Sequence, residues 1–534
     1  MPGSMIVYAQ EGHATTPLES EDMRIAHFGT FDVENYGDLL FPLVLERRLS
    51  DVCDDFVHVS PVGSAPVWQD CVPAIGFEEF LREAPEVDGL VIGGGQILRA
   101  SPTPLGIYNR GGVAPFVAYP SLWLGAAYIA ARDDLPLCWN APGVPAPFDP
   151  AAARFVRWTG SVTEHASVRD LESRRLLERA GVEVQMRVVP DTAVEISRLW
   201  KEEDISSAYE EAFAHRGRDV PERTLAFHVN ARLAGEDVSV VAVHIDNISR
   251  KLGATPVLLA IGPAHGDVKT QRKIAAQLDT DPLLVDGPRS LREVAACIAR
   301  SELYVGSSLH GMITACSFGR RCILISARED PKYGGFLDHL GLASWQARSW
   351  TGAEQKIEDL IDAPADAWER TLGRLDPSLD EHWESLRQVL LSGAKGGPRS
   401  AGKRDAIELF KRISAEQTQY IGGDHPEDTK VFGGFVAGSL RDTHARLRQA
   451  EQDVAKLTRW METLEDKVSI LTGSLRWKVG DALVSLPRKA MLKPKDPVVT
   501  QQMDRVFRRF SAWREADTIR RSEKKERTDG SGQY

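Results

Sequence analysis

A histidine beside a glycine–serine turn is the clearest chemical signal in this chain. The apolar run Leu303-Tyr304-Val305 leads through Gly306-Ser307-Ser308 into Leu309-His310-Gly311 and on to Gly319. The run reads as a buried parallel strand, and the segment after the turn as a helix. The first turn of such a helix presents backbone N–H groups at a strand's carboxyl end, a site for a phosphate or carboxylate. His310 stands beside it, and imidazole is the side chain that gains or loses a proton near neutrality. Proton transfer to a small acidic donor is the chemistry implied. A histidine that caps a helix or fills a core is the competing reading.

The surrounding rhythm supplies the elements that would hold this turn. From Arg24 to about Leu199, short apolar runs alternate with helical patterns. Arg24-Ile25-Ala26-His27-Phe28 enters a Gly-containing loop and then a helix over Leu39–Leu49. Gly89-Leu90-Val91-Ile92 runs into Gly93-Gly94-Gly95, and Leu135–Asn140 ends at Ala141-Pro142-Gly143. Ser161-Val162-Thr163 reads as a strand before Ser167-Val168-Arg169-Asp170, where a helix begins, and Val188-Val189 ends at Pro190-Asp191. A second block repeats the alternation: strands Thr224–Asn230, Pro256–Ile261, Leu283–Val285, Leu303–Val305 and Cys322–Ile325, with a helix over Val238–Leu252. The expected fold is α/β, with two Rossmann-like parallel-sheet domains facing a cleft in a GT-B-like layout, followed by a C-terminal coiled coil. The expected divisions are a flexible leader 1–22, a first domain 23–200, a charged linker 201–223, a second domain 224–395, a connecting segment 396–438, a coiled coil 439–476 and a basic amphipathic tail 477–534.

Composition narrows the class. With 534 residues, 43% of them hydrophobic, the chain can bury two or three cores. A formal net charge of −11 argues against general binding of nucleic acid. Six cysteines are scattered without a C-x-x-C pair, which fits a reducing cytoplasm better than a zinc cluster or disulfide framework. No H-x-x-x-H or suitably spaced carboxylate cluster suggests a metal. The first 22 residues lack the basic start and apolar stretch of a signal peptide, and no run of 18 apolar residues occurs. The expected location is cytoplasmic, with peripheral contact at the inner face of the membrane as a possibility left to the tail.

Beyond Leu440 the pattern changes to a heptad. Leu447, Val454, Met461, Val468 and Leu475 take position a, and Ala450, Leu457, Leu464 and Leu471 position d. This predicts a coiled coil that pairs copies of the chain or docks a partner. Residues 476–534 carry a net charge of +7, with Trp477, Leu483, Phe507, Phe510 and Trp513 among the basic residues. A segment touching an anionic membrane and a solvated basic tail both fit.

Six short motifs then occur in order: Asn35-Tyr36-Gly37-Asp38, Gly93-Gly94-Gly95, Val168-Arg169-Asp170, Pro190-Asp191, Ser307-Ser308-Leu309-His310-Gly311, and Lys332-Tyr333-Gly334-Gly335-Phe336 followed by Leu340-Gly341-Leu342. Over about Arg24–Leu342 the chain thereby resembles the polysaccharide pyruvyl transferase family. The resemblance implies transfer of the pyruvyl group of phosphoenolpyruvate to two hydroxyls of one sugar. The product is a cyclic ketal in a cell-surface polysaccharide or its lipid-linked precursor, and phosphate is released. Phosphoenolpyruvate is then a co-substrate, and no cofactor is expected.

The donor's carboxylate and phosphate call for fixed positive charge and N–H groups, and its methylene carbon for a general acid. His310 suits the acid and Arg169 the anion clamp. Ser307, Ser308, Gly311 and Lys332 complete the expected donor set. Asp38 is the expected base, with Asn35, Gly37, Gly94, Gly95, Asp191, His228 and Asn230 lining the cleft or the acceptor side. Arg232 and His265 stand in reserve. Gly37 is expected to allow a positive φ and a close approach, and Gly93–Gly95 to admit ligand near the backbone. An Asx turn at Asn35 and a loop cap at Asp191 are the plainer readings of those residues. Some family members read Arg-Leu-His where this chain has Ser308-Leu309-His310, which removes one charge from the donor pocket. Two rivals remain open at this stage. One is a GT-B glycosyltransferase using a nucleotide sugar, and the other a non-catalytic scaffold of glycan assembly.

Overall fold

The computed structural model describes residues 23–63, 68–101, 103, 105–108, 114–234, 238–326, 331–362, 366–393 and 401–418, together with 452, 456 and 459. Within it the two alternating blocks form two parallel sheets. The first contains β1 (Arg24–Phe28), β2 (Asp55–Ser60), β3 (Ile75–Gly76), β4 (Gly89–Gly93) and β5 (Leu137–Asn140), in the order β3-β2-β1-β4-β5. A small parallel pair, β6 (Ala166–Val168) and β7 (Met186–Val188), is joined to β5 by a bridge between Cys138 and His165. The second sheet contains β8 (Thr224–His228), β9 (Thr255–Leu259), β10 (Leu283–Val285), β11 (Leu303–Gly306), β12 (Arg321–Ile325) and β13 (Gln346–Ala347), in the order β10-β9-β8-β11-β12-β13. Every residue of β4 and β8 is buried, as helices on both faces of a parallel sheet require.

Strand order fixes where ligands can lie. The order reverses between β1 and β4 in the first sheet and between β8 and β11 in the second. At such a reversal the loops leaving neighbouring strands part and open a crevice beyond the carboxyl ends. His228 and Gly306 face each other in register at the second reversal, which puts Asn230 and Ser307 just outside it. The loop from Gly29 to Asn35, the start of the helix Tyr36–Leu49 and Gly94-Gly95 follow the ends of β1 and β4 at the reversal in the first sheet.

Some expected boundaries move. Ser161 closes the helix Pro150–Ser161, and the strand follows at Ala166–Val168. That helix is started by Pro150 and by the Asp149 carboxylate, which accepts from Ala151 and Ala152 N–H, and its buried face continues through Trp158 and Thr159. The charged stretch 201–223 is no linker: Glu202–Ala214 is a helix that buries Ile205, Tyr209, Ala212 and Phe213 in the core. Its charges lie on the solvent face of an amphipathic element. The connecting segment 396–438 includes the helix Ala401–Thr418, which packs on the first sheet's lobe, with Trp158 Nε1–H donating to Ala406 O at 2.7 Å. The predicted coiled coil, tail and leader lie outside the described residues, apart from Gln452, Lys456 and Arg459, which are helical. Among the described residues no helix is long and apolar enough to cross a membrane.

Two fasteners tie the lobes. At the start of the helix Tyr36–Leu49, Tyr36 N–H donates to Ile261 O at 2.9 Å, and its hydroxyl lies 3.0 Å from Thr314 Oγ1. At the other end Arg48 pairs with the buried Glu195, which also accepts from Trp383 Nε1–H at 2.7 Å. Trp383 belongs to the helix Asp366–Gly393, which returns from the second sheet's lobe to the first. On that helix His382 Nε2–H donates to Asn140 Oδ1 (3.0 Å), and its Nδ1 lies 3.1 Å from His165 Nε2.

Burial holds His165 at a pKa of about 4, helped by Arg187. Burial likewise holds His382 at about 3, helped by the neighbouring His165 and by Arg187 and Arg48. Both folded values lie below the ordinary value of 6.5, so the unfolded chain takes up protons first as pH falls. Their contribution to stability is complete above about pH 6.5 and is lost toward pH 4, at about 1.4 kcal/mol per pH unit for each proton withheld. Urea unfolding at pH 7 and pH 5 should show this loss, and His382→Gln should flatten it. An unchanged slope in the variant would remove this pair from the acid response.

Candidate active site

The site is assembled from starts of helical segments at the lobe junction. The helix Tyr36–Leu49 brings Gly37 and Asp38, the 3-10 turn Thr192–Arg198 brings Asp191 as its cap, and the helix Leu309–Ser317 brings His310. Arg169 comes from the end of β6, one residue before Asp170 caps the helix Leu171–Arg179.

A buried carboxylate holds the group together. Asp191 Oδ1 accepts from Ala193 N–H at 3.1 Å, so the expected loop cap is present. Its Oδ2 lies 3.1 Å from Arg169 Nη1 and 3.7 Å from His310 Nε2. The arginine contact is a hydrogen-bonded ion pair, and the histidine contact is too long for a hydrogen bond. Burial alone would raise the Asp191 pKa, but His310, Arg169 and the Ala193 N–H outweigh it and hold the carboxyl below its usual range. Two donors in this group, Arg169 Nε and His310 Nε2, are buried without a hydrogen-bond partner. Leaving a buried donor unpaired costs about 1–3 kcal/mol. The Arg169 Nε lies 3.8 Å from Asp170 Oδ2, so the two donors belong to side chains that share Asp191 but are not both on it.

Glycines govern how closely the lobes approach here. A side-chain methyl at Gly37 would overlap the His310 imidazole, so the ring lies directly against the first lobe's helix. Gly37 is helical and its φ is not positive, which corrects half of the expectation; the close approach is its reason. Gly94 and Gly95 do have positive φ, of 79° and 67°. They admit this same helix rather than a ligand, because a methyl at Gly94 would overlap the Phe41 ring and one at Gly95 would lie 2.8 Å from Asp38 Oδ1. Phe41 in turn sets its ring at 83° to His310, with centroids 5.6 Å apart. Asn35 caps the first helix without a side-chain cap bond; its amide donates to Asp38 Oδ2 at 2.6 Å instead.

The serine turn is more structural than expected. Ser308 Oγ accepts from Gly311 N–H at 3.3 Å and so closes the helix start itself. Gly311 is therefore no free anion donor; it makes room for the Tyr304 hydroxyl, which a methyl there would strike. Ser307, His228 and Asn230 form a second group at the β8–β11 reversal. Asn230 N–H donates to Ser307 Oγ at 2.8 Å, and His228 Nδ1 lies 3.3 Å from the same oxygen. His228 is buried against Asp267, not open to the cleft, and His265 is exposed on a short turn. Arg232 falls in the short helix Ala231–Ala234.

Sequence reasoning named the Lys332–Phe336 motif but not its role as the wall over these groups. The helix Pro331–Leu340, which includes Lys332, lays Tyr333 OH 3.3 Å from Ser307 O and His339 Nε2 3.1 Å from Arg169 O. Its Gly335 lies flush against Asp170. Gly143 clears the space for Arg169, whose Nε lies 2.6 Å from where a methyl would stand. The signal was the glycine pair 334–335, which marks a helix pressed against another chain segment. Among the described residues no group of side chains is arranged to hold a metal ion.

The Gly37 contact can be tested directly. Gly37→Ala should displace the His310 ring in a crystal structure of the variant. A shift of about 1 Å costs about a hundredfold in rate where the ring acts chemically. Alanine's better helix propensity, worth up to about 1 kcal/mol, offsets part of the clash, so the melting temperature should change little. A variant with the ring unmoved and full turnover would remove the steric role assigned to this glycine.

Comparison with solved structures returns likenesses of low identity. They include UDP-GlcNAc 2-epimerase of Methanocaldococcus jannaschii (13% identity, TM-score 0.41, covering 67% of this chain and 99% of the other). The UDP-GlcNAc 2-epimerase of Neisseria meningitidis gives 12%, 0.42, 67% and 99%. An α,α-trehalose-phosphate synthase of Burkholderia vietnamiensis gives 11%, 0.40, 72% and 99%. No curated protein matches. The family model for polysaccharide pyruvyl transferase matches residues 35–328, more than half of the chain and the stretch that contains Asp38, Arg169, Asp191 and His310. The chain belongs to the polysaccharide pyruvyl transferase family and is an enzyme of the transferase class.

Proposed function

We propose that this GT-B-like, two-lobed enzyme transfers the pyruvyl group of phosphoenolpyruvate to two hydroxyls of a sugar in a surface glycan or its precursor. One observation carries the reading: at the lobe junction a buried carboxylate lies between an arginine and a histidine, each with a buried donor that has no hydrogen-bond partner. Family membership supplies the reaction class.

In this reading Arg169 binds an anionic group of the donor through its guanidinium fork. His310, 3.7 Å from Asp191, delivers a proton to the donor's methylene carbon. The neighbouring carbon becomes electrophilic, one sugar hydroxyl adds to it, and Asp38 takes the hydroxyl's proton. The phosphate then leaves with the C–O bond electrons as the second hydroxyl closes the ketal, and its proton passes to the His310 imidazole that gave one up. Asn35 fixes one Asp38 oxygen by its 2.6 Å hydrogen bond. A donor with two acidic groups needs more positive charge than Arg169 and His310 supply against Asp191 and Asp170. Lys332, in the helix that covers Ser307 and Arg169, is the residue we assign to that deficit.

Calorimetric titration of the full-length protein with phosphoenolpyruvate tests the donor. Arg169→Ala should weaken binding by about tenfold or more, in line with loss of a charge-assisted hydrogen bond. His310→Ala should retain binding and lower turnover by about a hundredfold or more. UDP- and GDP-sugars serve as rival ligands. A nucleotide sugar that binds where phosphoenolpyruvate does not would replace ketal formation with glycosyl transfer.

A further inference from the structure

The second polar group, at the β8–β11 reversal, has a proton arrangement with a functional consequence. Asp267 Oδ2 accepts from Gly262 N–H at 2.9 Å and lies 2.7 Å from His228 Nε2, so His228 must keep a proton on Nε2. Ser307 Oγ already accepts from Asn230 N–H. With His228 neutral, the Ser307 proton must point to His228 Nδ1, 3.3 Å away, and only a lone pair remains for anything else. A lone pair repels an anion. With His228 protonated, Nδ1–H donates to Ser307 Oγ, and the serine proton turns free to donate.

We infer that Asp267 and His228 are positioning residues that make Ser307 a hydrogen-bond donor to the substrate's anionic group, so that donor binding takes up a proton at His228. The inference rests on the phosphoenolpyruvate reading of the site. The proton comes from solvent, and no covalent bond changes. Asp267 supports the charged histidine: its carboxylate is buried, and its Oδ1 has no hydrogen-bond partner. His265, a titratable group, brings its ring against the same Gly262 that donates to Asp267. Tyr304 on β11 lies within range of the Asp267 charge, the Asn35 amide oxygen approaches Gly262, and Gln271 Nε2 is committed to Val229 O. Among the described residues, the ion pair recorded for Asp267 is with His228.

This arrangement also answers the serine at position 308. Where the expected arginine is missing, the pocket gains a donor by taking up a proton next door.

Calorimetry in buffers of different ionisation enthalpy measures the proton count directly. Wild-type protein should take up protons on binding phosphoenolpyruvate, and His310→Ala should retain the His228 share. His228→Asn supplies a permanent N–H near the Nδ1 position, so it should bind better than His228→Ala while losing that share. Ser307→Ala should weaken binding by about tenfold, the size of a hydrogen bond to a charged group. Uptake unchanged in His228→Asn, or affinity unchanged in Ser307→Ala, would overturn the inference. Thermal unfolding of each variant separates loss of fold from loss of contact. Inorganic phosphate serves as a second probe. Proton uptake with phosphate but no binding of phosphoenolpyruvate would strike the donor reading and support the pair, whereas absence of uptake with both would remove the pair.

Discussion

The Asp191 carboxylate is one negative charge buried between an arginine and a histidine that come from different lobes. Arg169 reaches it from the end of the small parallel pair, and His310 from the helix that follows β11. A carboxylate removed from water is costly unless it is paired and hydrogen-bonded, and this one has both kinds of partner and a depressed pKa. The arginine and the histidine therefore meet at the junction through one side chain. Remove it, and the Arg169 guanidinium loses its hydrogen-bonded carboxylate in a buried place.

The remaining architecture serves to bring that group within reach. Gly37 lets the first lobe's helix press against the imidazole, and Gly94 and Gly95 let the β4 loop fold around Phe41 and Asp38 on the same helix. The helix is then fixed at both ends, by Tyr36 to the second lobe and by Arg48 to Glu195. Glu195 follows Asp191 within one short 3-10 segment. The clamp at Glu195 and the charge at Asp191 thus sit on one continuous turn. The same segment touches the first helix, the returning helix through Trp383, and the histidine's helix through Ser197 N–H to Ser317 Oγ at 2.9 Å.

Much of this was legible in the sequence, for identifiable reasons. Parallel strands buried on both faces announce themselves as apolar runs, so β1, β4, β5 and β8–β12 were visible, whereas β2, with Asp55, His58 and Ser60 among its residues, was not. His310 and Arg169 stood out because each ends a strand beside turn residues. The partnership of Asp191 with both was hidden, since residues 169, 191 and 310 meet only through tertiary packing. Glycines misled in the opposite sense. Gly94, Gly95 and Gly311 looked like room for a ligand and proved to be room for Phe41, Asp38 and Tyr304. Local sequence shows that a backbone must be approached closely but not by what. Asp267 was passed over for the same reason: its partner His228 lies on a different strand, 39 positions away.

Serine at position 308 bears on how charge is arranged around the turn. As the helix cap it stabilises the start of the histidine's helix by about 1 kcal/mol and engages the Gly311 N–H. The helix keeps its partial positive end, equivalent to about half a charge, but offers one N–H fewer to a ligand. An arginine at this position would reverse the balance, adding a full charge and giving up the cap. With serine, positive charge has to come from side chains that approach the turn from elsewhere. Arg169 arrives from the first lobe, and the helix Pro331–Leu340 lies over the turn from the other side, where Tyr333 contacts Ser307 and His339 contacts the Arg169 backbone. In the proposed reading, an anion that bridges Arg169 and the serine turn is held by groups from both lobes at once, so its binding and the packing of the lobe junction favour one another.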